Sequence, residues 1–188
     1  MDIMNRKNTL FDPVIIGIVT FVALMGIIIG TLAAREGVDN SLIRETDFFS
    51  RDFSFALRNA LTVKFFWTAI LMLSGINIFF IPASMLSLFI KCYSYGYTSG
   101  SVVSALNYEG YFIVMTGLFM HNFLFAILSV FYSAYGINKS IGCFLNRRNY
   151  DYKVRKNKSF FIMSLFFFSA AVMLSFLEAY ISVMLYEI

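Results

Sequence analysis

The chain has 188 residues, of which 59% are hydrophobic, 19% aromatic and only 14% charged, and its mean hydropathy is +0.73. Soluble domains carry about 45–50% apolar and about 25% charged residues, so this balance excludes an ordinary soluble enzyme and a disordered chain alike. The net charge of +4 is concentrated in one late segment, and the two cysteines, Cys92 and Cys143, lie in or beside apolar runs, where no disulfide framework is expected.

A bilayer core about 30 Å thick needs roughly 20 apolar residues per helix. Runs of that length recur along the chain and predict an all-α, polytopic membrane bundle of about five transmembrane helices, forming a single membrane domain. The first span is expected at about 13–34, started by Asp12-Pro13 because proline is welcome in a first helical turn. Its apolar stretch from Val14 to Gly30 exceeds the about 7–15 residues of a cleavable signal, so it is expected to be retained.

Between Arg35 and Thr62 the chain turns polar and nearly neutral. Phe49, Phe53, Ala56, Leu57, Ala60 and Leu61 recur at helical spacing, with Arg51, Asp52 and Arg58 largely elsewhere on the wheel. This predicts an amphipathic helix over about 41–61, lying on the membrane or on the bundle. It reads either as an elbow leading into the second span or as a partner site presenting Phe49, Arg51, Phe53 and Arg58.

The second span is expected at about 63–81 and the third at about 82–106, with Pro82 breaking or starting a helix there because proline lacks the backbone donor and fixes its own φ. Asn107-Tyr108-Glu109-Gly110 reads as a tight polar turn. The fourth span follows at about 111–136 and the fifth at about 159–185.

Between those last two, segment 137–158 carries Lys139, Arg147, Arg148, Lys153, Arg155, Lys156 and Lys158 against Asp151 alone. Lys and Arg in short loops accumulate on the cytoplasmic side, which places this loop inside. Counting outward puts the N-terminus, with Arg6 and Lys7, in the cytoplasm, segment 35–62 outside, and the C-terminus outside. No recognition motif accompanies the charge, so lipid headgroups rather than nucleic acid are its expected partner.

Several polar groups interrupt the apolar spans. With span three starting at Pro82, Lys91 lies about 13 Å deep, where it must pair, with Asn77 in reach, or snorkel toward the headgroups. His121 and Asn122 fall near the middle of span four and suit hydrogen bonding between helices, with a proton relay as the alternative. No second ligand stands at metal spacing from His121, so neither a metal nor a cofactor is expected. Glu178 lies near the outer face of span five beside the interfacial Tyr180, and either pairs with Arg58 or Lys64 or is solvated. No second carboxylate stands at its depth, and no catalytic residue is assigned.

Small residues at Gly26 and Gly30, at Gly96 and Gly100, and at Ala171, Ser175 and Ala179 let backbones approach closely. They predict helix packing within the chain or, through Gly26 and Gly30, a homo-oligomer.

The order of these features resembles the stage II sporulation protein M family. The resemblance runs across most of the chain: Met25-Gly26 in the first span, Leu57 to Trp67, Asn77, Ile81-Pro82, Leu88-Phe89-Ile90-Lys91 followed by Gly96 and Gly100, Asn122, and Phe176-Leu177-Glu178-Ala179-Tyr180. Departures are Met120 and His121 where the family has proline and glutamine, Cys92 where it has glycine, and Ser182 and Val183 where it has a proline. The resemblance implies a non-enzymatic scaffold of the sporulation septum that anchors two peptidoglycan-degrading partners, the stage II sporulation proteins D and P, during forespore engulfment. The alternative reading from the residues is a small transporter or channel subunit with a polar path around Lys91, His121 and Asn122.

Overall fold

The computed structural model describes residues 12–36, 52–115, 120–146 and 150–186. These form five helices: α1 (Pro13–Glu36), α2 (Phe53–Ile76), α3 (Ile81–Ile113), α4 (Met120–Leu145) and α5 (Tyr150–Tyr186). A 3₁₀ turn, Ile78–Phe80, joins α2 to α3, and no strand occurs among the described residues. All five helices contain stretches long and apolar enough to cross a bilayer. The protein is therefore a multi-pass, all-α membrane bundle.

Local chemistry explains the helix starts. The Asp12 carboxylate accepts a hydrogen bond from the Val14 amide at 3.0 Å, and Asp52 accepts from the Ser54 amide at 2.9 Å. Each satisfies a donor that has no partner within its own helix. Asn77, in an extended conformation, ends α2, and its side chain accepts from the Phe79 amide at 3.4 Å.

Four expected boundaries are corrected. The break before the third helix comes at Asn77 rather than at Ile81-Pro82, and Pro82 takes the second of its two expected roles, starting a helix in the first turn of α3, where its missing donor costs nothing. Residues 52–61 are not a separate amphipathic helix but the cap and first turns of α2, while Phe49 and Arg51 lie outside the described residues. The turn at 107–110 is absent because α3 runs straight through it. One glycine costs only about 1 kcal/mol in a helix interior, too little to stop a helix held along its length by a neighbour. Finally, α4 starts at Met120 and continues to Leu145, and α5 starts at Tyr150. Much of the expected basic loop is thus helical, since Lys and Arg are good helix formers.

The bundle is assembled by two kinds of contact. Along α1 and α3 the two glycine pairs interlock within one chain. A Cβ at Gly26 would stand 2.7 Å from the Phe89 carbonyl oxygen, one at Gly30 would collide with the Tyr93 carbonyl, one at Gly96 with the Ile27 carbonyl, and one at Gly100 would lie 2.8 Å from the Ala34 Cβ. The Gly26 and Gly30 face is thereby occupied internally and is not available to a second copy. Thr31 reinforces the approach, its hydroxyl donating to Ile27 O at 2.9 Å and to Gly96 O at 3.3 Å.

Around α4, the most enclosed helix, aromatic rings fill the interior. Tyr132 stacks on Phe167 with ring centroids 4.3 Å apart and 4° between planes, and Tyr135 stacks on Phe160. Their hydroxyls meet Ser164 and Ser159, each at 2.7 Å. Ser129, Ser164 and Ser175 are buried and donate to carbonyls four residues earlier, satisfying hydroxyls that lipid cannot. Phe21, Phe66, Phe161 and Met173 point outward, as a lipid-facing surface requires.

Candidate functional site

Each helix sorts its residues by a 3.6-residue period, and the inward stripe carries charge at two levels. On α2 the stripe runs Ala60, Lys64, Thr68, Leu71, Ser74. On α4 it runs His121, Phe125, Ser129, Tyr132, Gly136, Lys139. Lys91 on α3 is 4% exposed and Lys64 only 3%, so both are held within the bundle rather than extended to the headgroups.

The upper level gathers four helices. Lys64 donates from Nζ to Glu178 Oε2 on α5 in a direct ion pair, and the same oxygen lies 3.7 Å from His121 Nε2 on α4. The His121 contact is ionic when the imidazole is protonated. Lys91 makes no ion pair or hydrogen bond with these groups. Its ammonium lies over the Phe125 ring at 4.1 Å and over the Trp67 and Tyr95 rings at 5.4 Å each, a cation–π enclosure.

Beside these groups is a cavity of about 310 Å³ lined by Lys64, Lys91, Asn122 and Glu178, by Ser94, Tyr95, Thr98 and Ser99 on α3, and by apolar residues including Ile27, Val63 and Val114. It runs along α3 from Lys91 to Ser99, about 12 Å by helical rise. On the other side of Lys91 the interior is closed by Phe125, Tyr132, Leu88 and Phe167.

The lower level is built on Lys139, which is buried rather than in a loop. Its Nζ donates to Gly75 O at 2.6 Å and lies over the Phe160 ring. Ser140 donates to the Ser74 carbonyl. Both satisfy orphan carbonyls at the C-terminal end of α2, where a cation also complements the helix dipole.

The predicted residues therefore separate. Lys91, Asn122 and Glu178 line one cavity, with His121 against Glu178. Asn77 is not Lys91's partner, since the 3₁₀ turn places it beside Lys139, on the lining of a second pocket. His121 and Asn122 lie at the start of the described span Met120–Leu145 rather than at the middle of a span, since residues up to Ile113 belong to α3. Tyr180 is exposed on the outer face of α5, and Phe53 and Arg58 are exposed at the start of α2.

The sequence offers Lys64 only as one of two partners for Glu178, which the ion pair selects over Arg58, and it places Lys139 in a loop. The available signal was their position, since each lies in step with serines, threonine or glycine on an inward stripe. Among the described residues no group of three His, Cys, Asp or Glu side chains is arranged to hold a metal, and Cys92 and Cys143 are free. No family model, curated protein or solved structure matches the chain.

Proposed function

We propose that this protein is a non-enzymatic membrane scaffold that anchors peptidoglycan-degrading partners, of the kind of the stage II sporulation proteins D and P, at the septal membrane during forespore engulfment. One observation carries the reading. Lys91, Asn122 and Glu178 all belong to the set on which the resemblance to the stage II sporulation protein M family rests, yet they come from α3, α4 and α5 and line the same cavity. Residues scattered over 88 positions of sequence have no local reason to converge.

The interior suits an anchor. Interlocked glycines tie α1 to α3, and the Lys64–Glu178 pair ties α2 to α5, so the ends of the helices are held in a fixed relation. In the proposed topology the N-terminus and the basic residues of 137–158 are cytoplasmic, while the start of α2, with exposed Phe53 and Arg58, faces the wall compartment. Deletion in the native host is expected to stall membrane migration around the forespore, and a photocrosslinker at Phe53 or Arg58 to capture wall hydrolases. Normal engulfment in the deletion strain would refute the proposal.

The cavity supports a second reading, a small transporter or channel subunit. Flux into proteoliposomes that disappears in Lys91→Ala would establish it. The aromatic floor beneath Lys91 favours the scaffold, because a conduit needs this layer to open.

A further inference from the structure

Among the described residues the charges around the cavity do not balance. Lys64 and Lys91 face it with Glu178, and Glu178 is already engaged by Lys64 and His121. Lys91 is buried, lines the cavity, and has rings but no acceptor around its ammonium among the described residues. Ionisable groups at membrane depth are expensive and normally find a partner.

The lining names the chemistry of the missing one. Lys91, Tyr95, Thr98 and Ser99 follow one another at helical spacing along one face of α3, and Asn122 adds an amide from α4. A cation at the closed end with hydroxyls leading to it is complementary to an oxyanion. Ile27, Val63 and Val114, also in the lining, suit an apolar portion of the ligand. The volume of about 310 Å³ is at the small end of ligand cavities, which span about 300–1,000 Å³.

We propose that this cavity is a binding site for an oxyanion, a carboxylate or phosphate group, which pairs with the Lys91 ammonium and is held by the α3 hydroxyls and Asn122. The site goes beyond both functional readings, since it requires neither a wall-degrading partner nor flux, and its failure would leave both intact.

The test uses the full chain in neutral detergent micelles with three probes: decanoate, inorganic phosphate, and methyl decanoate as the uncharged control. Reductive methylation of Lys91, followed by peptide mass spectrometry, reports access to the ammonium. Oxyanion at about ten times its Kd leaves about a tenth of the sites empty and is expected to slow Lys91 modification by about tenfold, with Lys158 unaffected. Protection by decanoate alone identifies an amphiphile such as a lipid, and protection by phosphate identifies a free anion. Equal rates with and without both anions, or equal protection by the ester, would overturn the site. Lys91→Met provides the second measurement, because a folded variant that retains wild-type decanoate binding in equilibrium dialysis also overturns it. Should that variant not fold, the wild-type protection experiment decides alone.

Discussion

At Lys64 the cost of a charge within the bundle is met by one carboxylate, and the consequences of removing either side are unequal. Losing one partner of a buried pair strands the other, at about 3–5 kcal/mol, whereas replacing both with apolar groups is often neutral or stabilising. Glu178 is about a third exposed, with 32% of its side-chain surface accessible, so Glu178→Gln is expected to cost toward the lower end of that range. The double variant Lys64→Met with Glu178→Leu is expected to recover most of the loss. Unfolding in mixed micelles measures both, and a double variant no better than the single one would mean that the pair is not the source of the effect.

Asp52 gives a pH dependence outside the membrane-spanning segments. The Ser54 hydroxyl and amide hydrogen-bond its carboxylate and hold its pKa below the ordinary value. A lowered folded-state pKa means that the cap's stabilisation is full above the unfolded value and disappears as pH falls through the folded one. Hydrogen exchange at the Ser54 and Phe55 amides is therefore expected to gain protection through the acid range as pH rises, and Asp52→Ala is expected to abolish that dependence.

Individual helices are distinguished by what their glycines meet. On α1, Gly30 faces the Tyr93 backbone, whereas a Cβ at Gly17 would meet nothing within 4 Å. Overpacking costs about 1–3 kcal/mol, so Gly30→Ala is expected to lower the detergent melting temperature by separating α1 from α3. Gly17→Ala is expected to leave it unchanged or raise it, since alanine exceeds glycine in helix propensity by about 1 kcal/mol. Equal effects at the two positions would show that propensity, not close approach, governs this helix. Sequence spacing marks Gly26, Gly30, Gly96 and Gly100 equally well for an internal or an external partner. Only the placement of α1 along α3 selects the internal one.

For the whole molecule, the proposed topology sets the start of α1 and the end of α5 on opposite sides of the membrane, and the basic residues near 147–158 give that proposal its sign. A cysteine at Lys158, in a chain with Cys92 and Cys143 replaced, is expected to react with a membrane-impermeant maleimide in inverted vesicles and not in intact cells. The opposite pattern would invert the bundle.

Length and hydropathy suffice to specify a helical membrane protein with five apolar crossings, because the bilayer imposes one thickness on every run of residues. Charge and depth also mark Lys91 and Glu178 as groups that must pair or reach the interface, and offer Lys64, with Arg58, as a partner for Glu178. Helix ends are less legible: α3 passes through Asn107-Tyr108-Glu109-Gly110, since polar residues that leave the apolar core need not leave the helix. The level of His121, the burial of Lys139 and the cavity beside Lys91 all depend on which helical faces meet. Those meetings arise from side-chain fit between segments far apart in sequence, and such fit is a property of the assembled bundle that no local window contains.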